Sequence, residues 1–261
     1  MHKHEIAHPA HWVLLRGLVR EAAHWGDFIA LLQAHFPGSK ITVVDLPGAG
    51  QYYRERSPAS IQGIMEVARR QALADGLTLN PPVTFLAVSL GAMVAWEWLT
   101  QYPQDSAGAL LINTSFASLS PFYHRMRWQA YPHIVRVLAA QNCYQRELAI
   151  VKLVANEVTK HHEVAKAWQT IQQARPMRLA TAWQQLLAAA RYVPKEDKPA
   201  VPVLLLASTQ DRLVSAACTQ AISQKWSLPL TEHSWAGHDL TLDDAPWVLA
   251  QAQQWLATLN N

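Results

Sequence analysis

Val83-Thr84-Phe85-Leu86-Ala87-Val88-Ser89-Leu90-Gly91 joins a buried-strand run to a helical pattern that continues to Tyr102, with no loop between them. A strand that passes straight into a helix does so through a very tight turn, and a serine in that turn has its hydroxyl pushed out at the top of the sheet. The residues two positions to either side of it must be small, because the backbone there passes close to itself. Ala87 and Gly91 satisfy this. The G-x-S-x-G pattern has glycine where Ala87 stands, so the chain departs from it by one methyl group.

Five residues alone are a weak signal, since a serine at a strand-to-helix turn can also cap the helix. What strengthens it is the rest of the chain. Val203-Leu204-Leu205-Leu206-Ala207 is another buried-strand run, and Asp211 follows it in Ser208-Thr209-Gln210-Asp211. The alternating segment Leu230-Thr231-Glu232-His233-Ser234-Trp235 leads into Gly237-His238-Asp239. An aspartate after a strand is commonly a turn or cap, and one histidine among 12 is commonly surface or core. Three such residues at successive strand ends, in the chain order Ser89, Asp211, His238, point instead to a nucleophile, the acid that orients its base, and the base.

With these residues the chain resembles the α/β-hydrolase superfamily, in its serine-nucleophile esterase branch. Val13-Leu14-Leu15-Arg16-Gly17-Leu18 is similar to the strand and turn that supply one oxyanion-hole amide there, with Arg16 where the family has histidine. The resemblance implies the backbone N–H groups of Leu18 and Leu90 as the two oxyanion donors, an interaction typically worth about 3 kcal/mol per donor. Asp45-Leu46-Pro47-Gly48-Ala49-Gly50, after Ile41-Thr42-Val43-Val44, is similar to the loop following the family's next strand.

Apolar strand runs at about residues 12–16, 41–45, 83–88, 108–113, 203–208 and 229–235 alternate with helical patterns, which predicts a doubly wound, mostly parallel sheet covered on both faces. Phe28, Leu31, Leu32 and His35 share one helical face, as do Ile61, Ile64, Met65 and Ala68, and Val248, Ala252, Trp255 and Leu259 form a third stripe. Residues 114–200 break the rhythm: they hold helical segments such as Pro132–Gln141, Gln145–Thr159 and Ala180–Arg191 and no buried strand. The expected organisation is therefore a hydrolase core of residues 1–113 and 201–261 with an inserted helical cap over 114–200, where the family commonly places one.

At 261 residues, 50% of them apolar, the chain suits one large α/β domain with an insertion. Its first ten residues carry no apolar core of a secretory signal, and no apolar stretch approaches the roughly 18 residues of a membrane span. The two cysteines, Cys143 and Cys218, lie far apart, as expected of free thiols in a reducing compartment; a cytoplasmic protein is the expectation. In that setting Asn113-Thr114-Ser115 is the end of a strand, not a glycosylation acceptor. His2, His4, His8 and His11 fit no structural zinc spacing, so they read as a solvated segment and no metal is expected.

The insertion is basic, with a net charge of +7 over residues 113–200 against −4 for the remainder. Such a lid over a hydrolase site suggests an anionic substrate or an acidic carrier protein, against the plain alternative of a solvated surface. Nucleic acid is not expected, since no binding motif accompanies the charge.

The chemistry implied is acyl transfer to water through an acyl-serine, with no metal or organic cofactor. Phe116, Phe122, Tyr123 and Trp128 are candidates for an acyl pocket beneath the cap, or for packing the cap onto the body. Arg16 and Arg20 are candidates for a substrate carboxylate, or for ion pairs with Glu21 or Asp45. The substrate expectation is a small carboxylic ester or thioester. A sharper version resembles the esterases that cleave the methyl ester of pimeloyl-acyl carrier protein. Carbon-carbon bond hydrolases share the triad, and a non-catalytic binding protein on the same fold is the alternative from another class.

Overall fold

The computed structural model describes residues 9–259. Among them a single sheet of six strands runs in the order β2-β1-β3-β4-β5-β6, from β1 (His11–Leu15), β2 (Lys40–Val44), β3 (Val83–Val88), β4 (Ser106–Ile112), β5 (Val203–Ser208) and β6 (Leu230–His233). Every neighbouring pair is parallel. All six lie where the apolar runs predict them.

Side chains alternate across each strand, so the two faces of the sheet hold separate cores. Val13, Leu15, Phe85, Ala109, Leu111 and Leu205 pack against α2 (Ile61–Ala74), α3 (Leu90–Gln101) and α9 (Ala216–Trp226). Trp12, Leu14, Leu86, Leu110 and Leu204 pack against α1 (Phe28–His35) and α11 (Ala245–Thr258). Full burial of each large side chain stabilises the fold by about 2 kcal/mol. The α2 stripe is buried throughout, whereas Leu31 and Leu259 are both 42% exposed, because α1 and α11 bury only the narrower faces centred on Phe28 and Leu32 and on Val248, Ala252 and Trp255.

Between β4 and β5 the chain forms α4 (Phe122–Arg125), α5 (Tyr131–Leu138), α6 (Cys143–Val154), α7 (His161–Ala174) and α8 (Leu179–Arg191), with no strand. Val151, Ala155, Ala165 and Trp168 give α6 and α7 a small core of their own. The helix expected over Gln145–Thr159 instead ends at Val154, and α7 begins at His161. The cause is tertiary: the carboxylate of Asp243, in α10 (Leu240–Asp243), accepts the backbone N–H groups of Asn156 and Glu157 at 2.9 Å and pulls the chain out of helical conformation.

Because β2 and β3 lie on opposite sides of β1, successive connections leave the sheet in opposite directions there, which opens a crevice at the carboxyl ends of β1 and β3. No helix among the described residues is long and apolar enough to cross a membrane. His2, His4 and His8 lie outside the described residues, whereas His11, expected in a solvated segment, opens β1 and is buried, its ring paired with the Thr42 hydroxyl at 2.7 Å.

Candidate active site

Ser89 stands between β3 and α3 with φ 57° and ψ −119°. A non-glycine residue rarely adopts positive φ, and here the conformation is held from both sides. The Ser89 N–H donates to the Ile112 carbonyl at 2.8 Å, and its carbonyl accepts from the Ala92 and Met93 amides and from the Thr114 hydroxyl. The need for a small residue at position 91 is visible in the backbone: a Cβ on Gly91 would lie 2.5 Å from the Arg16 carbonyl oxygen and 2.6 Å from that of Leu15. Ala87 is fully buried and its methyl group is accommodated.

Gly17 closes on the same turn. A Cβ placed there would lie 3.2 Å from Ser89 Cβ and 3.7 Å from its Oγ, so the turn after β1 sits directly against the serine. Leu18 follows in that turn and Leu90 opens α3, and among the described residues neither N–H finds an acceptor in the protein. Ser89 itself is half-buried, so its hydroxyl remains reachable.

His238 and Asp211 meet directly: Nδ1 of the ring lies 2.6 Å from Oδ2 of the carboxylate, and both residues are buried. The other oxygen, Oδ1, accepts the N–H groups of Leu213 at 2.7 Å and Val214 at 2.9 Å, which fixes the carboxylate. Burial disfavours the charged imidazolium, but the charge and hydrogen bond of Asp211, with Asp239 beside it, outweigh burial and raise the His238 pKa above its ordinary value. A ring bonded to carboxylate through Nδ1 carries its lone pair on Nε2 when neutral, the form a general base requires.

Asn113 and Thr114 tie the serine turn to the histidine loop. Asn113, in the left-handed conformation at φ 50°, donates from Nδ2 to the carbonyls of His238 at 2.9 Å and Gly237 at 3.3 Å and to Ser208 Oγ at 3.0 Å. Its Oδ1 accepts the Ser208 N–H at 2.8 Å, while Thr114 holds the Ser89 carbonyl at 3.1 Å. Asn113 is therefore a buried strut. The only signal for it in the sequence is an asparagine at a strand end, where left-handed backbone is tolerated.

The helical insertion is hydrogen-bonded to the histidine loop. The Asp239 N–H donates to the Val154 carbonyl at 2.8 Å, and Asp243 takes the Gly237 N–H at 2.6 Å together with those of Asn156 and Glu157. A Cβ on Gly237 would meet the Val154 carbonyl oxygen at 2.7 Å.

Several expected roles need correction. Arg16 pairs with neither Glu21 nor Asp45; its guanidinium forms a buried ion pair with Asp239 and lies over the Trp25 ring. Arg20 pairs with Glu147 of α6 at 3.0 Å and lies 4.1 Å from the Trp168 ring centre. Glu21 is taken by Arg175 of the insertion, and Asp45 accepts the N–H groups of Ala22 and Gln51. Both arginines are thus used in structure and present no free guanidinium to a substrate.

Phe116 is fully buried among Trp96, Tyr192 and Trp226, so it is a core residue and cannot line an open pocket. Phe122, Tyr123 and Trp128, in the insertion, are 64%, 66% and 72% exposed. A groove of about 570 Å³ around Pro202, Leu228 and Trp255 lies at the opposite end of the sheet and has no part in this site.

A family model described as the alpha/beta hydrolase family matches residues 12–251. No curated protein sequence matches the chain. Among solved structures, an esterase from Rhodococcus sp. ECU1013 is similar at 16% identity and a TM-score of 0.73, covering 96% of this chain and 91% of that one. The enol-lactonase from Burkholderia xenovorans LB400 is similar at 17% identity and 0.72, covering 97% and 93%. A thermophilic esterase from Thermogutta terrifontis is similar at 16% and 0.71, covering 98% and 92%. At such identities these structures speak for the fold alone, but the family match spans most of the chain and coincides with the strand-turn-helix geometry of Ser89: the chain belongs to the α/β-hydrolase family.

Proposed function

We propose that this protein is a serine hydrolase that cleaves a carboxylic ester or thioester through an acyl-serine intermediate. The observation that carries the reading is the buried His238–Asp211 pair, joined through Asn113 and Thr114 to a serine held at positive φ.

In this mechanism Ser89 Oγ attacks the substrate carbonyl carbon while His238 Nε2 takes the hydroxyl proton, and Asp211 steadies the imidazolium that forms. The carbonyl π pair moves onto oxygen, where the N–H groups of Leu18 and Leu90 receive the negative charge. Collapse reforms the carbonyl and expels the alcohol or thiol, to which His238 returns the proton. Water then attacks the acyl-serine by the same route and releases the acid. The insertion acts as a cap that limits water around the developing charge.

The substrate class is a short or medium acyl ester, and the setting a cytoplasmic one. The basic insertion favours an acidic acyl carrier as a second reading, and it directs the test to Arg136 and Arg191, which are exposed. Arg125 and Arg127 are unsuitable for that purpose, since they hold the carbonyls of Ala189, Ala190 and Asp211. Charge reversal at Arg136 and Arg191 lowers turnover of carrier-bound ester selectively if the carrier reading is right; equal effects on free and carrier-bound ester count against it.

A panel of p-nitrophenyl esters of rising chain length, run beside a thioester, tests the main reading. Turnover that disappears in Ser89→Ala supports it. A folded protein that turns over none of them favours a binding role on the same fold.

A further inference from the structure

The turn that carries Leu18 is closed by a hydrogen bond from the Arg20 N–H to the Gly17 carbonyl at 3.3 Å, and its third residue is Val19 at φ 60°. That position of a turn calls for glycine or asparagine, and a β-branched residue is the least suited to it. Something outside the turn must hold it. The Val19 N–H donates to Oε1 of Gln185 at 3.0 Å, and Nε2 of the same side chain reaches the Pro47 carbonyl at 3.5 Å, so donor and acceptor needs orient the amide one way only. Gln185 is 1% exposed and lies on the face of α8 that also buries Thr181, packed against Gly48, where a Cβ would overlap it.

From this geometry we infer that Gln185 is a positioning residue of the oxyanion turn: α8 clamps Val19 in the left-handed conformation and so aims the Leu18 N–H beside Ser89. Without that clamp Val19 relaxes toward negative φ and the Leu18–Val19 peptide plane rotates; the Leu18 N–H, in the preceding peptide plane, then loses the fixed backbone that holds its position against Ser89. The donor set of the site is then completed by the helical insertion and not by the sheet alone.

This inference rests on the serine-hydrolase reading, and its test separates the two. Gln185→Met keeps the side-chain volume and removes both hydrogen bonds. It is expected to lower kcat for a p-nitrophenyl ester by about tenfold or more with KM within about threefold, since an oxyanion donor acts on the transition state and not on ground-state binding. Adding Val19→Gly, which adopts positive φ without strain, is expected to recover most of the lost kcat, a rescue that a merely structural glutamine would not show. A kcat within about threefold of the parent, a loss confined to KM, or a loss that Val19→Gly leaves in place overturns the inference. If Gln185→Met does not fold, Gln185→Asn, which withdraws the amide by one methylene, is read by the same criteria. A folded parent that hydrolyses no ester and takes no fluorophosphonate on Ser89 overturns both readings; a working parent indifferent to Gln185 overturns this one alone.

Discussion

Arg16 and Asp239 form a buried ion pair, so the residue immediately after His238 is anchored to the residue immediately before the Gly17–Leu18 turn. Thr241 adds its hydroxyl to the same carboxylate at 2.9 Å. Burial alone would raise the Asp239 pKa, but the Arg16 charge and hydrogen bonds overcome it and hold the carboxyl below its usual range. The pair therefore ties the His238 loop to the Gly17–Leu18 turn. Arg16→Met leaves a buried carboxylate without its partner, a change that costs about 3–5 kcal/mol. Thermal unfolding is expected to fall by roughly 10 °C, and pairing the change with Asp239→Asn to regain part of it. A single variant as stable as the parent would remove the pair from the account.

In the proposed mechanism His238 acts as a base only when neutral, and its pKa is raised because Asp211 and Asp239 outweigh burial. The ring therefore keeps its proton to higher pH than an ordinary histidine. The acid limb of kcat/KM is expected to bend above the ordinary value of about 6.5, with activity falling as pH drops through that point. An inflection at or below that value contradicts the assignment.

His24 behaves in the opposite sense. Burial, reinforced by the charges of Arg20 and Arg16, outweighs the backbone hydrogen bond at Glu21 and holds its pKa well below the ordinary value. The unfolded chain therefore binds a proton there that the folded protein refuses. Its contribution to stability is complete above about pH 6.5 and is lost as pH falls toward the lowered folded value. His238 contributes with the reverse sign, so the comparison must be made against a His24 variant. Unfolding midpoints of His24→Gln measured between about pH 7.5 and about pH 5.5 are expected to show a flatter decline than the parent. Parallel curves would refute it.

Asn113 is expected to matter for catalysis although it touches no substrate. Asn113→Gly keeps the positive φ but leaves the His238 and Gly237 carbonyls and the Ser208 N–H without partners, at about 1–3 kcal/mol for each group that water does not reach. Asn113→Ala loses the same bonds and, unlike glycine, keeps a Cβ on left-handed backbone that alanine tolerates poorly, a further penalty of about 1 kcal/mol relative to the glycine variant. Both variants should lose stability and kcat, with alanine below glycine on unfolding. The reverse order would show that the backbone, and not the side-chain bonds, had been misjudged.

The strands and the order of Ser89, Asp211 and His238 are legible because they are local: apolar runs of strand length, each followed by a polar residue where the chain leaves the sheet. The long-range ties are not. Nothing near Asn156 announces that Asp243 ends its helix, and nothing near Val19 announces Gln185. In sequence Phe116 reads either as a pocket aromatic or as packing, and only the fold, in which Trp96, Tyr192 and Trp226 enclose it, decides for packing. The basic insertion reads as a free charged surface, but Arg125, Arg127 and Arg175 are consumed by backbone carbonyls and by Glu21. Charge counts cannot separate a guanidinium that docks two elements from one that faces solvent.

Mass spectrometry of the protein after reaction with a fluorophosphonate addresses the nucleophile itself. A single adduct on Ser89, absent in Ser89→Ala and formed far more slowly in His238→Ala, is the expected result. An adduct on another residue, or none in protein that melts as a folded domain, would contradict it.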